Sequence, residues 1–240
     1  MSVDTIVPLD HRAALARTQA TFLALLRHVE PTARVPGCPD WDAAHLTAHL
    51  TGVHRWAAAM SRTAPGADDV PDDDLPDDAD PPVAPDAAQE YRAAAADLLA
   101  VLDEDPDRPC RTLTGAGRRR DWARRQLHET LVHTWDLADA GGLPRWGPPE
   151  VVADAVEEVL DTLHPRQVRL GRTPAPDIGV ELLGSRRWVL GDGPPVAAVA
   201  GADADLLRLL WRRSDLSGAG LVVTGDAARA TEFLAGRLTP

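Results

Sequence analysis

Apolar residues recur at helical spacing through the first two thirds of the chain. Over 8–29, Leu15, Phe22, Leu26 and Val29 fall on one side of a helix. Glu30-Pro31 ends it, because a residue before proline avoids helical angles. After the turn Val35-Pro-Gly-Cys-Pro-Asp40, Asp40 is placed to cap a second helix over about 41–61. Its apolar stripe is Leu46, His49/Leu50, Val53, Ala57 and Met60, so a histidine lies on the face expected to be buried. Tyr91, Leu98, Leu99 and Leu102 mark a third helix over about 85–104.

The fourth helix, about 119–140, stops at Gly141-Gly142. At about 100° per residue, Trp122, Arg125, Glu129, Val132, His133, Asp136 and Ala140 share one face, with Leu127, Leu131 and Ala138 opposite. A helix apolar behind and charged in front predicts a central element whose polar face lines an internal site. A fifth helix over about 148–164 starts at Pro148-Pro149 and is expected to end before Pro165. The pattern then shortens. Ile178–Leu182, Arg187–Leu190, Val196–Val199 and Gly220–Thr224 read as strands, Asp203–Arg212 and Asp226–Gly236 as helices, and Gly191-Asp-Gly193 as a hairpin turn. The expected fold is therefore mainly α, a helical bundle over 1–164 followed by a small α+β domain over 165–240.

Between the second and third helices, 64–88 is filled with Asp, Pro, Ala and Gly. Such a segment cannot build a core and is expected to be a mobile, solvated loop. It carries much of the formal charge of −12, which argues against nucleic acid or an anionic membrane as a partner. No stretch reaches the roughly 20 apolar residues of a membrane span, and the first residues lack the pattern of a secretory signal. A cytoplasmic protein is expected. Cys38 and Cys110 are too few for a disulfide framework. All 25 basic residues are arginine, and lysine and asparagine are absent, as in a genome of high G+C content.

Glu129 and His133 stand four apart on one helix, so both side chains point the same way, one turn apart. A carboxylate and an imidazole so spaced can chelate one ion, and His49, on another buried stripe, supplies a third ligand. Three protein ligands with an open position is the arrangement of a catalytic zinc site, and bundle cores commonly hold such sites. His45, one turn before His49, either replaces it or sits beside it. His128-Glu-Thr-Leu-Val-His133 is not the zinc-protease HExxH, because its histidines are five apart. Asp136 is placed to orient His133, and Arg125 to pair with Glu129 or to bind an anionic substrate. Trp56, Trp122 and Trp135 read as core or pocket lining. His54 falls on another face and is expected to be exposed, and surface is the default for His11, His28 and His164.

Val35-Pro-Gly-Cys-Pro-Asp-Trp-Asp42, leading into Ala48-His-Leu50 and His54-Arg-Trp56, resembles the first signature of the mycothiol-dependent maleylpyruvate isomerase family. Arg124-Arg125 with His128-Glu129, His133 and Trp135-Asp136 resembles the second, and Val222-Val-Thr-Gly-Asp226 a weaker one of its C-terminal domain. The resemblance implies a DinB-like four-helix bundle with a small α+β domain. It implies zinc or another divalent ion on His49, Glu129 and His133, and mycothiol as the thiol cosubstrate. Activities in this family include cis–trans isomerisation and thiol S-transfer onto a small electrophile, so Arg125 and Asp136 are the catalytic candidates. Arg212-Arg213 stands where the family often has Gly-Arg, and an arginine there is a second candidate for a substrate carboxylate. A non-catalytic metal-binding or ligand-sensing bundle is the alternative.

Overall fold

The computed structural model describes residues 8–66, 86–218 and 220–240. It divides into two units at Gly147/Pro148. The acidic segment expected to be mobile lies, from 67 to 85, outside the described residues.

The first unit holds helices α1 (His11–Leu25), α2 (Ala43–Arg62), α3 (Ala87–Glu104) and α4 (Arg119–Ala140), with a short hairpin of β1 (Pro109–Thr112) and β2 (Gly115–Arg118) before α4. Aspartates start three of the helices. Asp10, Asp42 and Asp86 accept backbone N–H groups from Ala13, His45 and Gln89 at 2.9, 3.0 and 3.0 Å. The cap of α2 is thus Asp42 rather than Asp40. Val35 N–H donates to Trp41 O, and Arg34 bridges Asp42, so the chain stays folded back until Trp41 and the helix starts later. Phe22, Val35, Leu46, Leu50, Tyr91 and Leu137 form one apolar cluster joining all four helices. Helix α4 is central: every residue from Arg125 to Ala138 is buried. Arg119, 1% exposed, ties its start to α2 and α3 by donating to Ser61 O, Val101 O and Glu104. Among the described residues no helix is long and apolar enough to cross a membrane.

The second unit begins with α5 (Pro149–Glu158), which packs on α7 (Asp203–Leu210) of the same unit. This packing puts the division at Gly147/Pro148 rather than at 164/165. The helix also does not end before Pro165. It widens into a π turn over Val159–Leu163, where His164 N–H donates to Val159 O, and continues as α6 (His164–Arg169). Proline is tolerated there because the widened turn restarts the helix and places Pro165 in its first turn, where no N–H is needed. Strands β3 (Gly179–Leu183), β4 (Arg187–Leu190), β5 (Pro195–Ala200) and β6 (Val222–Gly225) form a sheet in the order β4-β3-β5-β6, followed by α8 (Ala227–Leu234). Since β5 runs parallel to β3, Gly191-Asp-Gly193 is a crossover past β3, not a hairpin turn. The hairpin is β3–β4.

Candidate metal centre

Helices α2 and α4 bring His49, Glu129 and His133 together, with one ligand atom from each within 4.8 Å of the others. Glu129 Oε1 lies 3.1 Å from His133 Nε2 and 3.6 Å from His49 Nε2. The two imidazoles meet edge to face, with centroids 5.1 Å apart. Donor atoms about 2.0–2.2 Å from a tetrahedral ion stand roughly 3.3 Å from each other, so two imidazoles and a carboxylate at these separations fit a divalent ion such as zinc.

Each α4 member of this group is held from behind. The Arg125 guanidinium donates to Glu129 Oε2, which leaves Oε1 toward the histidines. Burial opposes charge on Glu129, but the Arg125 charge and the hydrogen bonds from His133 and His49 hold its carboxyl well below the usual range. His133 Nδ1 donates to Asp136 Oδ2 at 3.0 Å. Burial works against a proton on His133, yet the bonds and charges of Asp136 and Glu129 outweigh it, and its pKa is raised. Arg125 and Asp136 are 6% and 1% exposed. They stand against Glu129 and His133 and orient those side chains.

Trp41, which the sequence reading gave no role, packs on the rings of His49 and His133 at centroid distances of 4.7 and 6.3 Å. His45 is not one of the three grouped residues; its Nδ1 lies 2.7 Å from Asp42 Oδ1. His54 is not exposed: it is fully buried, with Nδ1 3.0 Å from Gln126 Oε1. Burial lowers its pKa to about 4. His11 is partly buried against the ring of His128, and His164 is buried against Phe233. His28 is exposed. Trp122 and Trp135 are core, and Trp56 packs edge to face on Trp122 at 4.8 Å. In the second unit, the Arg213 guanidinium donates to Trp211 O and lies over the Trp211 ring.

Residues 12–138 match the family model of the mycothiol maleylpyruvate isomerase N-terminal domain, and residues 150–232 match that of the MDMPI C-terminal domain. The fold is similar to the crystal structure of the mycothiol-dependent maleylpyruvate isomerase, at a TM-score of 0.69 and 16% identity over 93% of this chain and 96% of that one. A variant of that isomerase with alanine in place of a histidine matches at a TM-score of 0.70 and 17% identity, with the same coverage. No curated protein sequence matches. With both halves of the chain matched in order, the protein belongs to the mycothiol maleylpyruvate isomerase family.

Proposed function

We propose that this protein is a metal-dependent enzyme that uses mycothiol to add a thiolate to an electrophilic double bond conjugated to a carbonyl. The observation that carries the reading is the convergence of His49, Glu129 and His133 from two helices, inside a member of this family. Zinc is the ion best matched by two imidazoles and one carboxylate. A divalent ion held there supplies Lewis acidity that brings a thiol to its thiolate form near neutral pH.

The protein's own groups account for the rest. Arg125 keeps Glu129 ionised and turned toward the histidines, and Asp136 fixes the His133 ring through Nδ1. Trp41 packs against both imidazoles. Once thiolate sulfur bonds to the alkene carbon, the former double bond is single and rotates. Expelling the thiolate yields the other geometric isomer, whereas protonating the adduct yields a thioether. A substrate resembling maleylpyruvate takes the first course, as an isomerase. Other electrophiles take the second, as in S-transfer.

Purified protein is assayed with mycothiol and maleylpyruvate, and separately with activated alkenes, before and after chelation. Turnover that needs both thiol and metal is expected. Isomer without accumulated thioether identifies the isomerase, and accumulated thioether the S-transferase. A metal-loaded protein that binds no thiol and turns over no electrophile would be a metal-binding module instead.

A further inference from the structure

We infer that the second unit holds ordered internal water between His164 and Gln167, at a site created by the π turn over Val159–Leu163. The two residues stand three apart on α6, so they share a face, with Cβ atoms about 5–6 Å from each other. Both side chains are buried, at 4% and 0% exposure. Among the described residues, His164 Nε2 and both polar atoms of the Gln167 side chain, Oε1 and Nε2, have no hydrogen-bond partner. Buried polar groups are otherwise almost always bonded, to protein or to water.

The π turn explains how they come inside. His164 N–H donates to Val159 O, five residues back, so the turn carries one residue more than an α turn holds. Each residue advances an α-helix by about 100°. With one residue dropped for the π turn, His164 and Gln167 fall within about 60° of the buried line of Val151, Ala155, Val156 and Val159. Counted as one unbroken α-helix, they would point about 100–150° away from it. The extra residue thus turns two polar side chains into an apolar interior. Apolar packing gives no reason for that, whereas a bound polar molecule does, and π turns of this kind often accompany binding sites.

The surroundings define the chemistry. The His164 ring meets Phe233 of α8 edge to face, with centroids 5.6 Å apart. Phe233 in turn closes on the crossover after β4, where a Cβ at Gly191 would lie 3.1 Å from its ring atoms Cε1 and Cζ. Burial lowers the His164 pKa against the opposing charge of Asp192, so the imidazole is neutral near pH 7. A neutral imidazole has one donor and one acceptor nitrogen, and an amide offers both functions. The matching ligand is small and uncharged, and both donates and accepts. Water has that chemistry, and one buried molecule makes about three hydrogen bonds.

The test uses the full-length protein. A crystal structure should show water density at about 2.7–3.2 Å from His164 Nε2 and from the Gln167 amide. In solution, oxygen-17 relaxation dispersion counts long-lived internal waters. The double variant His164→Phe/Gln167→Leu should hold about one or two fewer than wild type. Gln167→Leu alone should lower the melting temperature, because it removes a partner of the water and leaves His164 Nε2 less well bonded. No density between the two side chains, or equal water counts in wild type and the double variant, would overturn the inference. Gln167→Leu would then melt higher than wild type, since removing an unbonded buried amide relieves the cost of burying it.

Discussion

Arg125 and Glu129, one turn apart on α4, divide the Glu129 carboxylate between two tasks: Oε2 takes the guanidinium, while Oε1 faces His133 at 3.1 Å and His49 at 3.6 Å. Both side chains are buried. A buried ion pair contributes little over an apolar substitute, but breaking one leaves an uncompensated charge. Arg125→Met should therefore cost the metal-free protein about 3 kcal/mol or more in urea unfolding at pH 7. Saturating zinc should narrow the gap, because the ion replaces the guanidinium as counter-charge. The double variant Arg125→Met/Glu129→Gln should recover much of the metal-free loss. An Arg125→Met protein as stable as wild type without metal would show that the pair does not govern this carboxylate.

The three ligands make a sharper prediction. His49→Ala, Glu129→Ala and His133→Ala should each lower zinc content, read by elemental analysis after dialysis, whereas exposed His28→Ala should not. Asp136→Asn should fall between, with affinity reduced about 10–100-fold, because it acts on the His133 ring rather than on the ion. Full occupancy in all three alanine variants would remove the assignment.

The grouping of His49, Glu129 and His133 was legible in the sequence because two helical stripes carried it, and stripes survive folding. His54 was not, for a physical reason. It belongs to a second buried line on α2, Thr47, Thr51, His54 and Ala58, which looks polar as written. The threonine hydroxyls donate to carbonyls four residues back, Thr47 to Ala43 O and Thr51 to Thr47 O, both at 2.7 Å. Their polarity is spent inside the helix, so the line can be buried while the sequence suggests a wet face. The β1–β2 hairpin was missed for the opposite reason. Gly115-Ala-Gly-Arg118 has no β-forming pattern, and the hairpin is held from outside by Arg111 N–H donating to Thr63 O and Trp122 Nε1 donating to Arg111 O. Long-range bonds of that kind leave no periodic mark on the chain.

The cysteines are predicted to be spectators. Cys110 is fully buried, and its thiol is pushed up to about 11, by burial first and the Asp121 charge second. It carries almost no thiolate near neutrality. Cys38 lies in the proline turn before α2. Cys38→Ser/Cys110→Ser should keep most turnover with added mycothiol, and wild type should have none without it. Cys110 should resist iodoacetamide until the protein unfolds. Thiol-independent turnover in wild type that vanishes in the double variant would make a protein cysteine the nucleophile.

His54 gives the fold a definable acid sensitivity. Its Nδ1 donates to Gln126 Oε1, while Nε2 is buried and has no partner among the described residues. A second proton would therefore sit on a nitrogen with no acceptor, away from water. That cost lowers the folded-state pKa to about 4, against an unfolded value of about 6.5. The unfolded chain binds the proton first, so stability falls as pH drops through this window, and the whole contribution is present above the unfolded value. Between pH 7 and pH 5 the loss should be about 2 kcal/mol from this residue alone, taking about 1.4 kcal/mol per pKa unit. A bound divalent ion would repel the imidazolium and push the same way. Urea unfolding at pH 7 and pH 5 reads the effect as the difference between wild type and His54→Phe, which cancels the titration of other groups. The variant should lose about 2 kcal/mol less than wild type over that interval. Equal losses would mean that the buried ring finds a partner for its second proton when the solution turns acidic.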